Sequence, residues 1–151
     1  MADQANELSM DTPHPLVKKV LSGKPPIAEL IGLELEDIGE GRARFSLQAG
    51  SRLANPMGTL HGGVLCDLTD AAMGIAFATT LAPDESFTTM ALNINFFRPV
   101  LQAHLRAEAR VTNRGRNVGY IECDVTDEND RKIAKANSTC VVLRGESARS
   151  G

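Results

Sequence analysis

The chain has 151 residues, of which 42% are hydrophobic and 23% charged, the size and make-up of one soluble globular domain with its own core. Sixteen Lys and Arg against nineteen Asp and Glu leave a net charge of −3, which argues against a strongly basic nucleic-acid binder. Cys66, Cys123 and Cys140 form no CxxC pair, so a zinc ribbon or dithiol redox motif has no support and a reducing compartment fits.

Residues 1–13 are polar and aperiodic and read as a mobile tail. They lack the basic start and apolar core of a signal peptide. Residues 14–22 predict a short helix, with Leu16, Val17, Val20 and Leu21 at 3–4 spacing. Pro25 and Pro26 break it, and residues 27–31 form another helical turn closed by Gly32. Leu33, Leu35 and an out-of-phase Ile38 suggest a strand. After Gly39-Glu40-Gly41, the alternation of Ala43, Phe45 and Leu47 with polar residues gives its hairpin partner.

Residues 50–60 are loop by their Gly, Pro and Asn content. Residues 62–81 are the long helical candidate. Val64, Leu68, Ala71, Ala72, Ile75 and Thr79 form one stripe. Met73, Gly74, Phe77 and Ala78 make the other faces apolar too, as in a buried helix. The longest apolar run, residues 71–78, is far short of the roughly 20 residues that span a membrane. A cytoplasmic protein is expected.

Four alternating segments follow, marked by Met90, Leu92, Ile94 and Phe96; by Leu105, Ala107, Ala109 and Val111; by Ile121, Cys123 and Val125; and by Ala134, Ala136, Ser138, Cys140 and Val142. Turn-rich residues 113–117 and 127–130 link the later strands, which implies antiparallel pairing. The order predicts an α+β domain over residues 14–144, one antiparallel sheet around one helix, with a second mobile tail at 145–151. One sheet cannot cover every side of an all-apolar helix, so a homo-oligomer is expected to cover the rest.

Two carboxylates stand on that helix. Asp67 suits the first turns, where acids stabilise the helix dipole. Asp70 lies further on, opposite Leu68 and between Phe77 and Gly74. It reads either as a solvated or salt-bridged acid or as a functional group, because buried Asp is rare unless paired or functional. His61-Gly62-Gly63 opens the same helix. It is either a plain glycine-containing start or a place where unshielded N–H groups meet a developing oxyanion. His14, His61 and His104 show no metal-ligand spacing, so no metal is expected.

Asn55-Pro56-Met57-Gly58-Thr59-Leu60-His61-Gly62-Gly63, then Asp70, then Asn93-Ile94-Asn95-Phe96-Phe97-Arg98-Pro99, resembles the hotdog-fold acyl-CoA thioesterases, nearest to the phenylacetate-pathway (PaaI-type) branch. The resemblance covers roughly residues 27–143. It implies a hotdog fold, with the long helix wrapped by the sheet, and a homodimer with active sites at its interface, assembled into a homotetramer. It also implies hydrolysis of an aryl- or short- to medium-chain acyl-CoA, with coenzyme A as part of the substrate and no separate cofactor. By the same resemblance, Asp70 is the nucleophile or general base and the Gly62 N–H polarises the carbonyl. Asn55 orients thioester or water, and His61 supports the loop. Thr89 falls where some members use a Ser or Thr. Asp70 would come from one subunit, and Asn55, His61 and Gly62 from the other.

Arg98, Arg114 and Arg116 are candidates for the coenzyme A phosphates, or ordinary solvated arginines. Met57, Met73, Phe77 and Phe87 are either acyl-pocket residues or core fillers. Cys66 reads as a small apolar residue near the helix start. The competing functions are a hotdog hydratase or dehydratase, with His61 as its base, and an acyl-CoA-binding protein without catalysis.

Overall fold

The computed structural model describes residues 12–149. The expected N-terminal tail lies outside these residues except for its last two, and of the C-terminal one Gly145–Arg149 is a 3₁₀ segment. Helices α1 (Pro15–Ser22) and α2 (Pro26–Ile31) lead into the hairpin β1 (Leu33–Gly39) and β2 (Arg42–Ala49). A 3₁₀ turn (Ser51–Leu53) opens the loop before α3 (Gly62–Ala78). Then come β3 (Ser86–Phe96), β4 (Ala103–Arg114), β5 (Val118–Thr126) and β6 (Lys132–Leu143). One six-stranded antiparallel sheet, in the order β1-β2-β4-β5-β6-β3, curves around α3.

The out-of-phase Ile38 has a local cause. A bulge between Leu35 and Asp37 leaves Glu36 unpaired, so Leu33 and Ile38 are both buried despite their odd spacing. A second bulge, between Thr89 and Ala91, corrects the expected strand phase of β3. Met90 does not share the face of Leu92 and Ile94; it is 67% exposed. Phe87 and Thr89 take the helix-facing side instead.

Helix α3 buries Leu65, Leu68, Thr69, Ala72, Met73, Ala76, Phe77 and Ala78. Met73 and Phe77, read above as a second face awaiting a partner, are therefore covered by the chain's own sheet. The small residues Ala134, Ala136, Ser138 and Cys140 on the inner face of β6 are all buried, as close helix–sheet approach requires. Phe77 packs directly against Gly119, where an added Cβ would sit 2.1 Å from the ring. The helix ends three residues before the expected Leu81. Thr79 and Thr80 hydroxyls bond back to the carbonyls of Ala76 and Phe77, both at 2.7 Å. Thr79 Oγ1 also accepts the Gly41 N–H at 2.8 Å, tying the helix end to the β1–β2 turn.

Glu85 joins four elements. Its carboxylate accepts from the Ala82 N–H at 2.9 Å, from Arg114 at 3.2 Å and from Arg144 at 2.8 and 3.0 Å. Its carbonyl accepts from His14 Nε2 at 2.9 Å. His14 Nδ1 caps α1 by accepting the Leu16 N–H, and Val17 is fully buried against Ile38 and Ala78. Helix α1 is thus pinned at its start.

Candidate active site

The site residues fall into two groups at different points along α3. The first is built around Asp70. Its Oδ1 lies 3.5 Å from the Thr89 hydroxyl, which the β3 bulge turns toward the helix and which also touches Cys140 Sγ at 3.8 Å. Asp70 is open to solvent in a single protomer. Even so, the protein around it raises its pKa, by desolvation first. The hydrogen bond from Thr89 works against that rise and the nearby Asp67 adds to it. Asp70 stands on the wall of an apolar cavity of about 360 Å³ between α1, α2, α3 and β1.

The second group is the loop at the start of α3. Asn55 Oδ1 accepts the N–H groups of Met57 and Thr59, and its Nδ2 donates to Thr59 Oγ1 at 2.9 Å. The side chain is largely spent on holding this loop, with one Nδ2 proton remaining. His61 Nδ1 accepts the Gly63 N–H at 2.9 Å, and the His61 carbonyl accepts the Val64 N–H. Of the first three helical N–H groups, that of Gly62 is left without a partner among the described residues. The Phe96 ring covers Gly62 so closely that a Cβ there would sit 3.0 Å from Cζ. Asn55, Thr59, Gly62, Phe96 and Arg98 share a second cavity of about 390 Å³.

Eight residues separate Gly62 from Asp70 on one helix, a rise of about 12 Å. The two groups of one chain cannot touch the same carbonyl.

The other candidates divide. Arg98 and Arg116 are exposed and form no ion pair among the described residues. Arg114 is a correction: it turns inward to Glu85 and Thr80 and stacks 5.2 Å over the Phe77 ring, so its guanidinium is occupied. Met73 and Phe77 are core fillers and Met57 is 83% exposed; of the four pocket candidates, Phe87 lines the Asp70 cavity. The Cys66 thiol is pushed up by burial and then by Asp67 and Asp70, the reverse of activation. No three His, Cys, Asp or Glu side chains among the described residues are grouped to hold a metal ion, and no helix among them is long and apolar enough to cross a membrane.

Two features escaped sequence reasoning. Phe96 reads there as a strand residue within the Asn93–Pro99 motif and without a role at Gly62, although its ring packs over Gly62. Leu16 and Val20 read as a short helix; their signal was an apolar stripe on an element with no place in the sheet.

A profile of the thioesterase superfamily matches residues 57–134. A Saccharolobus solfataricus protein with a provisional esterase designation is 32% identical over 118 residues, 78% of each chain. The 1,4-dihydroxy-2-naphthoyl-CoA hydrolase of Listeria monocytogenes is 28% identical, over 78% of this chain and 96% of that one. The solved structure of a phenylacetic acid degradation-related protein from Ralstonia eutropha superposes with a TM-score of 0.74 at 28% identity, covering 83% of this chain and 98% of that chain. The chain belongs to the thioesterase superfamily, as a thioester hydrolase with the PaaI-type hotdog fold.

Proposed function

We propose that the protein hydrolyses acyl-CoA thioesters to free acid and coenzyme A, with Asp70 as the reacting carboxylate. The observation that carries this reading is a carboxylate with a raised pKa on the wall of an apolar cavity. Such a cavity takes the acyl group and leaves the thioester carbonyl beside Asp70. Asp70 either takes the proton of the attacking water, or itself attacks the carbonyl carbon to form an acyl–aspartyl anhydride that water then hydrolyses to the free acid. The negative charge moves to the carbonyl oxygen, the C–S bond breaks, and the thiolate leaves. A thiolate needs little protonation to depart, so a carboxylate and an oxyanion donor suffice.

The unpartnered Gly62 N–H is that donor, contributed by the other subunit of a homodimer. Two α3 helices running antiparallel would bring Asp70 of one beside Gly62 of its partner, which the 12 Å rise within one helix forbids in a single chain. The long edge strand β3, with Met90 and Phe96 exposed, supports pairing of two copies along that edge. Pairing of dimers into a homotetramer is the larger assembly proposed. Arg98 and Arg116 are the remaining candidates for the coenzyme A phosphates. The three free cysteines support a reducing, cytoplasmic setting. A hydratase reading needs His61 as a free base, whereas His61 Nδ1 is engaged by the Gly63 N–H.

The test is free-thiol release from a panel of acyl-CoAs by the native protein and its Asp70→Asn variant. Release by the native protein and a loss of about 100-fold or more in the variant is expected. Near-native turnover in the variant overturns the role of Asp70. Saturable binding without release overturns the hydrolase.

A further inference from the structure

We infer that the N-terminal helices α1 and α2 set the acyl specificity, selecting an unbranched medium-length alkyl chain over hydroxylated aryl groups. The inference rests on the proposed placement of the thioester at Asp70. Asp70 and Gly74 of α3, Phe87 of β3, Leu16 and Val20 of α1, and Ile27 of α2 line one cavity. Gly74 lines the cavity beside Phe87, where a Cβ would lie 3.4 Å from the ring, at ordinary van der Waals contact. Apart from Asp70, the polar side chains on the wall are Lys19 and Lys24, which present their alkyl stems. Lys24 is already paired with Glu34.

Two properties follow. At about 30 Å³ per heavy atom, the volume of a liquid water, 360 Å³ holds about a dozen atoms. That is an acyl chain of about eight to twelve carbons, well beyond an acetyl group. Hydroxyls on an aryl ring would face apolar side chains over most of this lining, a penalty of about 10-fold in kcat/KM. The α1 wall is also fixed, because α1 is held by buried Val17 and by the His14–Glu85 hydrogen bond. A fixed wall gives a length cut-off.

The experiment compares C2 to C16 acyl-CoAs and a dihydroxynaphthoyl-CoA by thiol release. The same chains are then measured as non-hydrolysable S-alkyl-CoA thioethers by calorimetry. Native protein, Val20→Phe and Leu16→Ala are compared. The native optimum is expected at about eight to twelve carbons by both readouts. Val20→Phe should lower the C10-to-C4 ratio about tenfold, and Leu16→Ala should move the optimum to longer chains. Affinity and rate independent of chain length, or a preference for the hydroxylated aryl group, overturn the inference. So do identical length profiles in all three proteins. Length-dependent thioether binding without any thiol release leaves the pocket standing and removes the catalytic reading instead.

Discussion

Asp70 carries the clearest residue-scale consequences. Its pKa is raised because the protein around it partly desolvates the carboxyl and disfavours the charged form, an effect that Thr89 partly offsets and Asp67 deepens. A base or nucleophile must be ionised, so kcat/KM should rise with pH through a midpoint above the ordinary aspartate range. A pH–rate profile with Thr89→Ala beside the native protein checks this, since loss of the Thr89 hydrogen bond should move the midpoint up. The stability sign is the opposite of an ordinary ion pair. A carboxyl whose pKa rises on folding costs stability once pH exceeds that pKa. Asp70→Asn should therefore melt at or above the native temperature at pH 7 while losing turnover. For Gly62, a methyl group meets the Phe96 ring at 3.0 Å. Gly62→Ala should displace the N–H and lower kcat about 10- to 100-fold, with KM changing less; steady-state kinetics separate the two.

At the scale of elements, the helix and strands were legible because their periodicities are strong, and the misplacements trace to single extra residues. Ile38 announced its bulge by breaking the alternation. Met90 did not, because an apolar residue at the bulge continued the pattern seamlessly, and only the pairing register exposes it. The second apolar face of α3 was misread because a strongly curved sheet covers more of a helix than a flat one could. Arg114 was illegible for a different reason. Its partners, Glu85 and Phe77, are distant in sequence, and nothing local separates an inward arginine from a solvated one. The motif residues Asn55, His61, Gly62 and Asp70 were readable as a set through the family resemblance that their motif carries. That the Asn55 side chain is also largely spent on holding the loop is visible only in its hydrogen bonds. The tightest element contact yields a stability prediction. Gly119→Ala on β5 would place its Cβ 2.1 Å from the Phe77 ring, and should cost about 1–3 kcal/mol or more, read from the denaturant midpoint.

Across the whole molecule, Glu85 is the joint between the start of α1, the loop after α3, β4 and the segment just after β6. Its pKa is lowered by the Ala82 N–H first, against the opposing effect of burial, and then by Arg144 and Arg114. A depressed carboxylate stabilises the fold above its unfolded pKa and loses that contribution as pH falls through the folded value. Glu85→Gln should cost about 1–2 kcal/mol at pH 7. The gap from the native melting temperature should close as the medium is acidified below the usual glutamate range. Thermal melts across pH for both proteins check it.

The distance between Gly62 and Asp70 along α3 has a genetic counterpart. If each site borrows one end of the helix from each subunit, every protomer serves two sites, and a defect at either end damages a different half. Chains carrying Asp70→Asn and chains carrying Gly62→Ala should then rescue one another. Unfolded together and reassembled, half of the dimers would be mixed. In each mixed dimer one site collects both lesions while the other is wholly native. Two crippled populations would thus regain about a quarter of native turnover, the share expected from random pairing of two-fold dimers. Independent active sites would regain nothing beyond the average of the two variants.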